Sequence, residues 1–425
     1  MNSSATELEI SLQNIYGDDD KIISYQRDRY DKLSSSFQEK FGVVPEKYFS
    51  APGRTEISGN HTDHNHGKVI AASINLDSIA AVSPNKNNSV VLFSDQYTEP
   101  FIVKLNETDP VEDEKSTTLA LIRGITAGFK NNGHKIGGFN ACISGDVLIG
   151  SGLSSSASVE ILIGTIFNHL YNNSKISIEE IAIIGQYAEN NYFGKPCGLM
   201  DQLACAIGGI IEIDFNQPNK PIINKIEFDF LSTGYRLIVV DTEANHADLT
   251  GDYAAIPEDM KQVAKYFNKE FCSEISLGEL IQNIKSLRAN VTDRAILRAI
   301  HFLEENKRVD MQISALNEND FSEFLRLVNE SGNSSFKYLQ NIYSSKNFEV
   351  QNLSLALAMT DIFIKEKGEG ACRVHGGGFA GTIQVFIPEH LVEEYESYMS
   401  NIFNEKSVNV LSIRTIGATC INKTL

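Results

Sequence analysis

Hydrophobic and polar positions follow two rhythms along this chain. A helical one is clearest at Val159, Ile163, Phe167 and Leu170, which share one helical face. Similar spacing predicts helices over 25–41, ended by Gly42, over 117–130, closed by Asn131-Asn132-Gly133, and over 177–192. Strand-like runs occupy 68–82 and 89–93, around the turn signal Pro84-Asn85, and then 139–147, 209–215 and 235–241. Tyr48 to Arg54 reads as a short strand running into a turn at Pro52-Gly53. The stretch 257–367 is rich in helix. The chain closes with a strand, glycine-rich turn and strand over 372–387, a helix over 389–403 and a last strand near 408–414. Strands and helices mix without regular β-α alternation, which predicts an α+β fold rather than a doubly wound parallel sheet.

A length of 425 residues suits two domains. The stretch Asn216 to Pro221 is the best boundary, giving a first domain over 25–218 and a second over 219–425. Residues 1–24 read as a loose arm whose Asp18-Asp19-Asp20 cluster is solvated. A formal charge of −18 argues against a nucleic-acid binder, because a phosphate backbone needs a basic face. A single nucleotide needs only a local site. Six cysteines without a C-x-x-C pair read as reduced thiols of a cytoplasmic protein. The polar, acidic start is unlike a secretory signal, and no apolar run approaches membrane-spanning length.

Gly150-Ser151-Gly152-Leu153-Ser154-Ser155-Ser156-Ala157-Ser158 stands between a strand and a helix. Glycines allow close backbone approach, and a helix start offers unpaired N–H groups and a positive dipole end, so the stretch is suited to an anion such as phosphate. Taken alone it also reads as a glycine turn with a serine N-cap. It is neither the Walker pattern nor G-x-G-x-x-G. Three further motifs accompany it: Gly53-Arg54-Thr55-Glu56-Ile57-Ser58-Gly59-Asn60-His61-Thr62-Asp63-His64, Cys197-Gly198-Leu199-Met200-Asp201-Gln202, and Arg373-Val374-His375-Gly376-Gly377-Gly378-Phe379-Ala380-Gly381. The spacing of His61, His64 and His66 around Asp63 matches no common closed zinc site. His375 reads equally as structural or functional.

With these motifs in this order, from about Phe49 onward, the chain resembles the GHMP kinase family, and within it the galactokinases. The resemblance implies a two-domain architecture with nucleotide and sugar in the cleft between domains. It implies transfer of the γ-phosphate of ATP, with Mg²⁺, to the anomeric hydroxyl of galactose, by a chain expected to be a monomer. Position by position, it places Gly150, Gly152, Ser154 and Ser155 on the ATP phosphates, and Glu189 with Ser155 on Mg²⁺. It makes Asp201 the catalytic carboxylate paired with Arg54. Arg54, Asn60, His61, Asp63, Gly198, Asp201 and Tyr253 fall at sugar-contacting positions.

The chain departs from the family pattern at Glu56, Ser58, Asn60 and His64, and Leu148 and Ile256 replace a usual proline and arginine. Asn60 stands where a glutamate usually meets the sugar's C6 hydroxyl. Loss of that charge would relieve repulsion with a C6 carboxylate, so galacturonate is an alternative acceptor and N-acetylgalactosamine a weaker one. The family also contains non-catalytic sugar sensors; retained Arg54, Glu189 and Asp201 favour an enzyme.

Overall fold

The structure, a computed structural model, describes residues 7–148, 152–217, 220–243 and 249–421. Gly150 of the expected phosphate loop lies outside the described residues. Two sheets organise the chain. The first contains β1 (Lys47–Ser58), β2 (Lys68–Pro84), β3 (Ser89–Ser94), β4 (Phe101–Lys104), β5 (Phe139–Gly145), β6 (Ile210–Asp214) and β7 (Ile222–Ile226). The second runs in the order β11 (Val408–Leu411), β8 (Tyr235–Asp241), β10 (Thr382–Pro388), β9 (Ala371–His375), all antiparallel. A final strand, β12 (Thr419–Ile421), returns to the first sheet and pairs with β1. Helices and strands are thus mixed in an α+β architecture.

The helices are α1 (Glu7–Tyr16), α2 (Asp20–Phe41), α3 (Thr118–Asn131), α4 (Ser155–Asn172), α5 (Ile178–Ala188) and α6 (Met200–Ile207). Beyond them come α7 (Thr250–Tyr266), α8 (Leu277–Gln282), α9 (Ile284–Leu287), α10 (Asp293–Asn317), α11 (Phe321–Ser334), α12 (Asn352–Lys367) and α13 (Val392–Ser400). Helix α4 runs through the middle of the first core. Ile161, Leu162, Ile163, Ile166 and Phe167 are all buried, so it is apolar beyond the one face its spacing predicts.

Three expectations need correction. The first concerns 1–24: α1 packs Leu12 and Ile15 against Tyr30 and Phe37 of α2, and Asp19 caps α2 by accepting from the N–H groups of Lys21 (2.8 Å) and Ile22 (3.1 Å). Tyr16 of α1 donates to the buried carboxylate of Asp77, which also pairs with Arg29 of α2 and with Arg414. Apolar residues and this ion cluster hold the segment down. The second is that Pro52-Gly53 is no turn: β1 continues to Ser58, with irregular register between Pro52 and Arg54 and between Glu56 and Ser58. Third, β7 and β12 lie beyond residue 218 yet belong to the first sheet, so sheet membership does not divide at the expected boundary.

Candidate active site

The irregularity at Gly53 seats the site's cation. A side chain there would meet the Leu153 carbonyl at 2.8 Å, and glycine lets β1 lie directly against the loop that opens α4. The backbone N–H of Arg54 donates to that carbonyl (3.1 Å), and its Nη1 donates to the Gly152 carbonyl. The other two nitrogens form a fork on Asp201, Nε to Oδ1 at 2.8 Å and Nη2 to Oδ2 at 2.6 Å.

Asp201 stands in the first turn of α6 with its carboxylate one-fifth exposed. Burial pushes its carboxyl up, but the Arg54 guanidinium and a hydroxyl bond from Ser154 outweigh this and hold it below the usual range. Ser154 therefore holds the N-cap position of α4 without capping it through its side chain. Its backbone is left-handed (φ 59°) and its hydroxyl is spent on Asp201, so it makes no side-chain cap to the first turn of α4.

Glu189 begins a π-helical turn, Glu189–Phe193, that ends α5, and its carboxylate is buried. The hydroxyl of Ser156 donates to its Oε1 (3.1 Å), so Ser156 rather than Ser155 stands beside it. Gln202 donates to Glu189 Oε2 and to Glu160 Oε2, each at 2.9 Å. Burial, then the neighbouring Glu189 charge, raises the Glu160 carboxyl well above the ordinary range. One carboxylate and one hydroxyl are oxygen donors of the kind that hold Mg²⁺ when phosphates and waters complete its shell.

On the acceptor side, Asp63 lies against Gly198, where any Cβ would overlap its Oδ2. Its Oδ1 accepts from the His64 N–H (2.9 Å). His61 and Tyr253 turn toward the third motif: His61 Nε2 meets the Gly377 carbonyl at 2.9 Å and the Tyr253 hydroxyl meets that of Gly378 at 2.8 Å. Burial lowers the His61 pKa to about 3, so the ring is neutral and Nε2 carries the donated proton. His66 stacks on Phe271, away from His61.

The Asn60 amide is buried inside the protein. Its Nδ2 donates to Glu56 Oε1 (3.0 Å) and the Gly376 carbonyl (2.6 Å), and its Oδ1 accepts from Asn341 Nδ2 (2.8 Å). Both amide hydrogens are spent on protein atoms, where the sequence predicts a face toward the sugar. Glu56 in turn pairs with the fully buried Arg373 of β9, linking the two sheets. His375 bridges Thr55 (3.0 Å) and Thr382 (2.9 Å), and a Cβ placed on Gly152 would lie 3.3 Å from its Nδ1. The third motif thus lies against Gly152, with His375 held neutral by burial and by the nearby Arg54 and Arg373 charges.

Sequence reasoning did not find Ser156, Glu160 or the Glu56–Arg373 pair. Ser156 sits one place along a serine run, and the other links are visible only in three dimensions.

The chain is similar to known proteins over most of its length. Residues 35–84 match the galactokinase galactose-binding signature and residues 120–209 the GHMP kinase N-terminal domain. Galactokinase of Clostridium acetobutylicum is 29% identical over 383 residues, covering 88% of this chain and 93% of that protein. Galactokinase of Clostridium beijerinckii is 29% identical over 396 residues, covering 90% and 96%. Among solved structures, Lactococcus lactis galactokinase complexed with galactose superposes with a TM-score of 0.79 at 24% identity, over 92% of this chain and 99% of that one. Among the described residues no helix is long and apolar enough to cross a membrane.

Proposed function

From the matches to the galactokinase signature and the GHMP kinase N-terminal domain, we propose that the chain is a GHMP-type, ATP-dependent galactose 1-kinase, giving galactose 1-phosphate and ADP. The carrying observation is that Asp201, forked on Arg54 and bonded by Ser154, sits where the glycine loop and the Asp63–Gly198 contact converge. Phosphoryl transfer asks the protein mainly for in-line positioning and neutralisation of charge.

The residues divide that work. N–H groups at the start of α4, with Gly152, cradle the phosphates. Arg54 keeps Asp201 ionised and aims its carboxylate at the anomeric hydroxyl, whose proton Asp201 accepts as the new O–P bond forms. An ionised carboxylate with a depressed pKa is a weak base, so orientation of the hydroxyl is a large share of its contribution. Asp63 accepts from sugar hydroxyls, while His61 and Tyr253 hold the Gly376–Gly378 turn that closes the site. Glu189 and Ser156 would hold Mg²⁺, which would supply positive charge against that of the phosphates.

The test is ATP consumption by the purified chain with Mg²⁺ and galactose, galacturonate, N-acetylgalactosamine or glucose, with the product identified by mass. Galactose 1-phosphate as the main product is expected. Sugar and ATP binding without any sugar phosphate would instead mark a sensor and sink the proposal.

A further inference from the structure

We propose that Lys195 is a second catalytic cation, one that meets the γ-phosphate of the bound nucleotide; this rests on the kinase reading above. Lys195 leaves the π-helical turn immediately after Gly194 (φ 86°), and its backbone N–H is fixed to the Glu189 carbonyl at 3.2 Å. Its Nζ reaches the Glu189 carboxylate at 3.4 Å, while 61% of the side chain is exposed. The residue is anchored at its root and loosely held at its tip, against a carboxylate that is itself buried.

The charges around the site explain why such a cation matters. Each nitrogen of Arg54 already donates, to Asp201 or to the Gly152 carbonyl, so that guanidinium is engaged by protein atoms on both sides of the site. Glu189 has Lys195 as its ion-pair partner among the described residues. The Lys195 charge also reaches Asp201, where it adds to Arg54 in holding the carboxyl down. Lys195 therefore pairs with one of the two carboxylates that flank the expected transfer line and lies within electrostatic reach of the other. An ion taken up by Glu189 and Ser156 would repel the ammonium from Oε1. The ammonium would then turn to the γ-phosphate oxygens.

The lysine keeps its proton throughout. The bond from the sugar's anomeric oxygen to Pγ forms, the Pγ–O bond to ADP breaks, and the hydroxyl proton passes to Asp201. Lys195 donates N–H bonds to the non-bridging oxygens, where charge spreads in the transition state. An ion pair with Glu189 alone would contribute nothing to discrimination between ATP and ADP.

The variants are Lys195→Met and Lys195→Arg in the full chain, both at an exposed side chain. Calorimetric binding of ATP and of ADP, each with Mg²⁺ and with EDTA, is measured beside steady-state kinetics. For Lys195→Met the expectation is ATP affinity with Mg²⁺ weakened about tenfold with ADP affinity unchanged, and kcat about a hundredfold lower at an unchanged KM for sugar. Lys195→Arg, which keeps the charge, retains the preference for ATP. Equal effects on ATP and ADP would overturn the proposal. So would faster turnover with tighter Mg²⁺ dependence, the result expected if the ammonium only blocks Glu189. Failure of the unsubstituted chain to bind either nucleotide would overturn the kinase reading, and this inference with it.

Discussion

Arg54 grips Asp201 through two nitrogens, at 2.8 and 2.6 Å, and spends its third on the Gly152 carbonyl. One side chain thereby ties the Asp201 carboxylate to the loop that opens α4. Asp201→Asn keeps the shape but removes the charge and the proton acceptor. We expect kcat to fall about 10²- to 10⁴-fold with ATP affinity nearly unchanged. Turnover kinetics with calorimetric ATP binding checks this, and full activity would remove Asp201 from the chemistry.

The same pair sets a pH dependence. Burial alone would raise the Asp201 carboxyl, and Arg54 is the largest influence opposing it. In Arg54→Met burial prevails, so the acid limb of residual kcat/KM moves to higher pH than in the unsubstituted protein. A limb that stays in place would show that another group sets it.

Gly198→Ala puts a methyl into the Asp63 carboxylate. The carboxylate must swing away, so KM for the sugar rises about tenfold or more, with ATP affinity unchanged. Kinetics at varied sugar and fixed ATP tests the split.

Asn60→Glu tests what the buried amide does. A second carboxylate would face Glu56 and the Gly376 carbonyl. We expect a loss of about 3 kcal/mol or more in stability and reduced turnover of galactose and galacturonate alike. Adding Glu56→Gln removes one of the opposed charges and recovers part of the loss. A clean shift in preference between the two sugars, without destabilisation, would return Asn60 to the sugar's C6 position.

Asp77 carries a prediction about acid stability. Burial raises its carboxyl, but Arg29 and Arg414 more than compensate and leave it below the ordinary value. Its stabilisation is therefore fully present above its unfolded pKa of about 3.9 and is lost as pH falls through the lower folded value. Asp77→Asn should cost about 3–5 kcal/mol at pH 7, and its Tm difference from the unsubstituted chain should shrink toward pH 3. Melting curves across that range decide it.

These residues also mark how far the chain is readable in one dimension. The helix after Ser154 and the Asp201 motif are legible because their signals are local in periodicity and spacing. Ser156 is not, because one step along a helix turns a side chain by about 100° and a serine run gives no sign of which member faces Glu189. The burial of Asn60 is hidden for a different reason. Its partners Asn341 and Gly376 are 281 and 316 residues away, so the amide's environment exists only once the second sheet has docked. The N-terminal helix α1 eluded the reading because its few apolar residues find their partners on α2 and β1, outside any local window.

The return of β12 to β1 bears on how the molecule comes into being. During synthesis the strands of the first sheet emerge early, yet one neighbour of β1 and the Arg414 partner of Asp77 are made only after the whole second sheet. Until then a sheet edge and a buried acid wait incomplete. The two halves are thus successive in translation but joint in maturation, and a nascent chain halted near its midpoint would carry an unfinished edge open to wrong pairing.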